Sequence, residues 1–191
     1  VDESFSYISP FSDTEDLPIG YDLIEDTLRR DGAVLIYISK SKIFSGGHIE
    51  GFGNYIDLCP MIEDESALKL IETLETYIGS SSTQLGKQSS FIQLMARGVV
   101  VHHGSMPLKA RLLIEHFVRK GYAKICFATS TLNQGINMPF DCVLIDNFHN
   151  MGELTLKNLI GRSGRSSNLN KFDYGYTIVN RRNVATFTSR V

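Results

Sequence analysis

The residues best suited to chemistry lie between Asn158 and Arg165, in the stretch NLIGRSGR. Arg162 and Arg165 stand three residues apart, and each follows a glycine, Gly161 or Gly164. At that spacing two guanidinium groups project to one side of a helix, or fork from a turn that breaks at glycine. A guanidinium is planar and pairs bidentately with phosphoryl oxygens. A glycine beside it lets a phosphate or a neighbouring backbone approach without a clash. An arginine that stabilises the transition state of phosphoryl transfer is worth roughly 10³–10⁵ in rate. Read from these residues alone, an ordinary surface arginine pair stays open.

Two further segments carry similar chemistry. Thr129 to Pro139, TSTLNQGINMP, opens with the hydroxyls of Thr129, Ser130 and Thr131, which can cap a helix start while donating to a phosphate oxygen. Gly135 removes a side chain where a ligand or backbone comes near, although a capped turn joining two elements would look the same. The stretch HHGSMPLKAR invites a metal reading because His102 and His103 are adjacent. Neighbours on a strand point to opposite faces, so the two cannot chelate one ion together, and no metal site is expected. One histidine is expected in the core and the other facing a cleft, with Gly104 offering a bare amide.

The missing parts matter as much. A nucleoside triphosphatase acting alone needs a phosphate loop, GxxxxGK[ST], and a carboxylate for magnesium. The only Gly-Lys, Gly86-Lys87, is followed by Gln88 and lacks the upstream glycine. Asp64-Glu65 opens a helix rather than ending a buried strand. The chain therefore carries phosphate-reading arginines without a cradle for the β-phosphate and metal, which is half of a site.

These residues need a scaffold, and the hydrophobic periodicity supplies one. The runs AVLIYI, GVVVHH, AKICFAT, DCVLIDN and DYGYTIV read as strands, the continuous apolar ones buried on both faces. Between them YDLIEDTLRR, residues 64–78, the region around Phe91 to Ala96, the stretch after Pro107 and ELTLKNLIGR read as helices. Alternation of this kind predicts an α/β fold, a doubly wound and mostly parallel sheet with helices on both faces. Ligands in such sheets gather beyond the carboxyl ends of the strands, which singles out Ser39 and Lys40, His103 to Ser105, Thr129 to Gln134, and Asn147 to Asn150. Residues 1–19 read as a linker or arm and 20–191 as one domain. The glycine-rich stretch SKIFSGGHIEGFGNYIDLCP reads as a long connection, and about 43–93 as insertion-like.

Composition agrees with a self-sufficient domain. The 191 residues are 42% hydrophobic and 21% charged, a balance that buries a core unaided. No apolar run approaches the ~20 residues of a membrane helix, so no membrane partner is expected. Cys59, Cys126 and Cys142 form no CxxC pair and read as reduced thiols of a cytosolic protein. Net charge is only −2, yet residues 151–191 carry seven bases against two acids. An anionic ligand met by the later half suits that asymmetry.

In this order and spacing, HHGSMPLKAR, ATSTLNQGINMP and NLIGRSGR resemble the second RecA-like domain of superfamily two helicases, with the superkiller-like and DEAD-box branches nearest. The likeness covers roughly residues 20–180 and is densest from Gly98 to Arg165. It implies that Arg162 and Arg165 reach across an interdomain cleft to ATP phosphates as arginine fingers, with Gly161 and Gly164 as that motif's glycines. It implies a place near the nucleotide for Gly135 and Asn137, and for Asn158, which stands where glutamine or histidine is usual. Thr129, Ser130, Gly104, Ser39 and Lys40 would meet the backbone of a single strand of DNA or RNA. Ser130 replaces the DEAD-box aspartate, and the region from Ile43 to Gln93 matches the pattern poorly.

The resemblance further implies an ATP-dependent helicase in the intact protein, with ATP and Mg2+ held mainly by a first RecA-like domain of the same protein. The isolated chain is expected to be inactive and the protein cytoplasmic, or nuclear in a eukaryote. A helicase-like domain kept as a non-catalytic binding or assembly module is the alternative, and an unrelated doubly wound fold binding another phosphate ligand is a third.

Overall fold

The runs VLIY, VVVH, ICFA and CVLI are buried along their whole length. They form β2 (Val34–Tyr37), β3 (Val99–His102), β4 (Ile125–Ala128) and β5 (Cys142–Ile145) of one sheet. The computed structural model describes residues 5–8, 21–79, 89–130, 138–148, 151–163 and 175–191. With β1 (Phe5–Ile8) and β6 (Tyr176–Asn180), the strand order is β1-β6-β5-β2-β4-β3. Strands β2 to β6 pair in parallel, and β1 alone runs antiparallel, against β6. The expected mostly parallel sheet is therefore present. The segment read as an arm contributes an edge strand.

Side chains alternate across the sheet with a period of two. Leu35, Tyr37, Cys126, Ala128 and Val143 join one apolar cluster, while Val34, Ile36, Ile125, Phe127 and Leu144 join another. The second cluster is covered by α1 (Leu23–Arg29), α2 (Lys40–Phe44) and α3 (Gly47–Leu58). The first is covered by α4 (Glu65–Ile78), α5 (Ser90–Met95), α6 (Leu108–Arg119), α7 (Glu153–Ile160) and α8 (Val184–Thr188). Helices thus lie on both faces, as the fold class requires.

Several helix ends follow directly from sequence. Asp64 accepts from the Ala67 N–H at 2.9 Å to cap α4, and Gly79 stops it at φ 68°. Pro107 occupies the cap position of α6. Gly98 has both a left-handed backbone, φ 70°, and a crowded site: a Cβ there would lie 2.8 Å from the Tyr122 carbonyl oxygen.

One expectation needs correction. SKIFSGGHIEGFGNYIDLCP is not a connection but two helices, α2 and α3, with Gly46 left-handed at their junction, φ 79°, and a kink at Phe52. Four glycines concealed the helical signal, although His48, Phe52 and Ile56 recur every four residues and are the ones buried. Within the stretch read as insertion-like, α4 and α5 bury Ala67, Ile71, Leu74, Ile92 and Met95 in the shared core.

Candidate functional site

Strand order reverses about β2. From it the chain moves outward to β3, returns through β4, then crosses to β5 on the other side. Beyond the carboxyl ends at such a reversal an open α/β sheet leaves a crevice. Ser39 and Lys40 follow β2, His103 and Gly104 follow β3, Thr129 and Ser130 follow β4, and Asp146 follows β5. The structure therefore brings together the five residues assigned to strand contacts.

Their states differ. Ser39, Lys40, Gly104 and Ser130 are exposed. The Ser39 hydroxyl accepts from the Lys42 N–H at 3.2 Å and shares a 3.0 Å hydrogen bond with the Ser41 hydroxyl. Thr129 is buried at 5% exposure, and its N–H donates to the His102 carbonyl at 3.3 Å. Lys42 pairs with Asp146 at 3.3 Å and lies over the Phe52 ring, 5.4 Å from its centroid. That pair ties the ends of β2 and β5 together at the crevice.

The histidine pair divides as its strand position dictates. His102 is fully buried against α6, with Nε2 3.2 Å from Glu115 Oε1. A carboxylate only accepts, so the imidazole proton belongs on Nε2. His103 is half-buried, its ring 5.3 Å from that of Phe44. Burial, then the charges of Lys40 and His102, hold His103 below its ordinary range. Among the described residues no group of three or more metal-ligating side chains comes together.

Burial is also the main cause that lowers His102 from 6.5, with Glu115 opposing it. The unfolded chain then binds more protons than the folded one as pH drops below 6.5. Stability is full above that value and declines toward the folded-state pKa. The thermal midpoint is expected to fall between about pH 7.5 and pH 5.5. His102→Gln should make the profile shallower, the lowered His48 and His103 supplying the remaining slope. An unchanged slope in that variant would exclude His102 as a source.

Arg162 lies at the other end of the sheet. Helix α7 runs back from the carboxyl end of β5, and its last turn delivers Gly161 and Arg162 beside Phe140, just ahead of β5. The Phe140 N–H donates to the Arg162 carbonyl at 3.4 Å, and Phe140 bridges Ser163 in parallel. Arg162 is buried at 8% exposure. Burial pushes the Cys126 thiol up to about 12, while the Arg162 charge pulls it down. Gly161 and Asn158 are exposed. The backbone at Gly161, φ −63°, does not itself demand glycine. Gly135, Asn137, Gly164 and Arg165 lie outside the described residues.

Two features escaped the sequence reading. Asp141, 2% exposed, accepts from the Ala33 N–H at 2.7 Å, its N–H donates to the Ala33 carbonyl at 2.9 Å, and its carbonyl accepts from Tyr176. It fastens the amino ends of β2, β5 and β6 beside Arg162. The second is the Lys40–Phe44 pair of α2, with Lys40 Nζ 5.5 Å from the Phe44 centroid. Its i, i+4 spacing is a helical signal in a segment whose glycines read as a connection.

The helicase conserved C-terminal domain family matches residues 59–167. That range includes the second half of the stretch whose sequence fitted the family pattern poorly. Among curated proteins, the chain is 33% identical over 88 residues to Hachiman protein HamB of Bacillus cereus, covering 44% of this chain and 8% of that protein. It is 28% identical over 134 residues to antiviral helicase SKI2 of Saccharomyces cerevisiae, 64% of this chain and 10% of the relative. It is 30% identical over 100 residues to the ATP-dependent DNA helicase Hel308 of Pyrobaculum calidifontis, 48% of this chain and 14% of that one. The chain thus spans only a small fraction of each relative.

Proposed function

Because the chain belongs to the helicase conserved C-terminal domain family, as the second RecA-like domain of a superfamily two helicase, we propose that it is one of two motor lobes of an ATP-dependent DNA or RNA helicase. ATP and Mg2+ are held mainly by a first lobe, which supplies the phosphate loop that this sequence lacks. This lobe closes on it and delivers Arg162 and Arg165 to the phosphates, with Gly135, Asn137, Asn158, Gly161 and Gly164 lining the nucleotide side. Ser39, Lys40, Gly104, Thr129 and Ser130 hold the backbone of one strand. Such contacts are largely independent of sequence and weaken with salt.

The observation that carries this reading is the division of the described candidate residues between the two ends of the sheet. The arginine-bearing turn lies at the amino end, against Phe140, and the polar set of Ser39, Lys40, Gly104, Thr129 and Ser130 lies at the carboxyl end about β2. One lobe can then hold a strand and face a nucleotide without the two ligands competing.

The test is turnover in two proteins. The 191-residue chain is expected to show no strand-stimulated ATP hydrolysis, whereas the protein with both lobes does. Rapid hydrolysis by the pure chain would overturn the shared site. The burial of Arg162 favours a second reading, a non-catalytic binding or assembly module in which the same arginine fixes an interface. A two-lobed protein without strand-stimulated turnover would support it.

A further inference from the structure

Phe44 is the last residue of α2 and leaves 64% of its surface in solvent. It stands at the mouth of an apolar groove of ≈ 370 Å³ lined by Ile43, Ile49, Ile78, Leu94 and Met106, a volume in the range of small-molecule sites. Single exposed apolar residues are common and carry no message. This one has company: the His103 ring lies 5.3 Å away, tilted by 60°, and Lys40 Nζ lies 5.5 Å from its centroid. Lys40 has no carboxylate within ion-pair reach among the described residues. An exposed aromatic side chain beside an unneutralised cation matches the two parts of a nucleotide, a flat base and its phosphate.

We propose that Phe44 is a stacking platform for an unpaired base of the bound strand, with Lys40 taking the adjoining phosphate. The proposal rests on the strand-binding reading above and names a residue which that reading does not include. Position supports it, because Phe44 and His103 flank the same carboxyl-end crevice as Ser39 and Gly104. Charge supports it as well, since the cation favours an anionic occupant over a purely apolar peptide helix. Stacking is indifferent to base identity because every base has a π-face. His103, whose protonation burial and the Lys40 charge oppose, adds a second aromatic wall.

The experiment measures binding of the chain to a fluorescent oligothymidine and to a sugar-phosphate strand of equal length without bases, at low salt. Phe44→Ala is expected to weaken oligothymidine binding by roughly 5- to 100-fold. Phe44→Tyr should bind like the parent, and the base-free strand should not distinguish Phe44→Ala from the parent. Phe44 is so exposed that the variant should fold, and an unchanged thermal midpoint checks this. Retained oligothymidine affinity in Phe44→Ala would overturn the platform and assign the groove to a protein partner. Equal weakening on both strands would also overturn it, by showing an effect without a base. If Lys40→Ala weakens binding while Phe44→Ala does not, strand binding stands and the platform falls. If the parent chain binds neither strand, both fall.

Discussion

Arg162→Ala or Arg165→Ala in the two-lobed enzyme is expected to cut strand-stimulated ATP turnover by roughly 10³–10⁵, or about 4–7 kcal/mol in the barrier, with strand binding largely intact. The separation is possible because Arg162 sits at the amino end of the sheet and the set proposed to hold the strand at the carboxyl end. A lysine at either position keeps the charge but loses the planar fork, so Arg→Lys should recover only a small part of the rate. Arg162 is 8% exposed, so its removal also disturbs packing. Steady-state turnover is therefore measured alongside the thermal midpoint and strand affinity of each variant. Near-normal turnover in both alanine variants would rule out the cleft role. A lowered midpoint with unchanged turnover in Arg162→Ala would leave that arginine as an internal brace.

Gly98→Ala is expected to destabilise the fold by about 2–5 kcal/mol. Two costs add. The left-handed backbone at φ 70° disfavours any Cβ by roughly 1–2 kcal/mol. The new methyl would also lie 2.8 Å from the Tyr122 carbonyl, an overpacking worth roughly 1–3 kcal/mol. Neither partner can retreat easily, because the Gly98 carbonyl accepts from the Lys124 N–H at 2.7 Å and the Ile125 N–H at 3.2 Å, starting the β3–β4 pairing. Gly121 is the control: its φ of 80° is similar, but nothing lies within 4 Å of a Cβ. Gly121→Ala should lose only the backbone part, roughly 1–2 kcal/mol. Equal denaturant midpoints for the two variants would show that the Tyr122 contact relaxes at no cost.

What could be read from sequence followed from local signals. Strands β2 to β5 announced themselves because strands covered on both faces are apolar throughout, and α4 and α6 because Asp64, Gly79 and Pro107 mark their ends. Helices α2 and α3 were hidden by Gly46, Gly47, Gly51 and Gly53, whose weak helix propensity is outweighed by burial of Phe52 and Ile56. Strand β1 had no local signal, since its pairing joins Phe5 to Asn180. The carboxyl-end set could be named in advance because strand ends follow from the strands. The placement of Arg162 at the opposite end could not, because it depends on α7 bringing Ser163 alongside Phe140.

The strands that separate those two ends are four residues long, a span of about 13 Å. β2, β4 and β5 are hydrogen-bonded on both sides and packed at interior density between two helical layers. Such a block behaves as a strut with no joint along its length. On the proposed reading, a tilt imposed where nucleotide is felt reaches the gripped strand as a rigid swing, and the bending that hydrolysis drives falls to the junction between lobes.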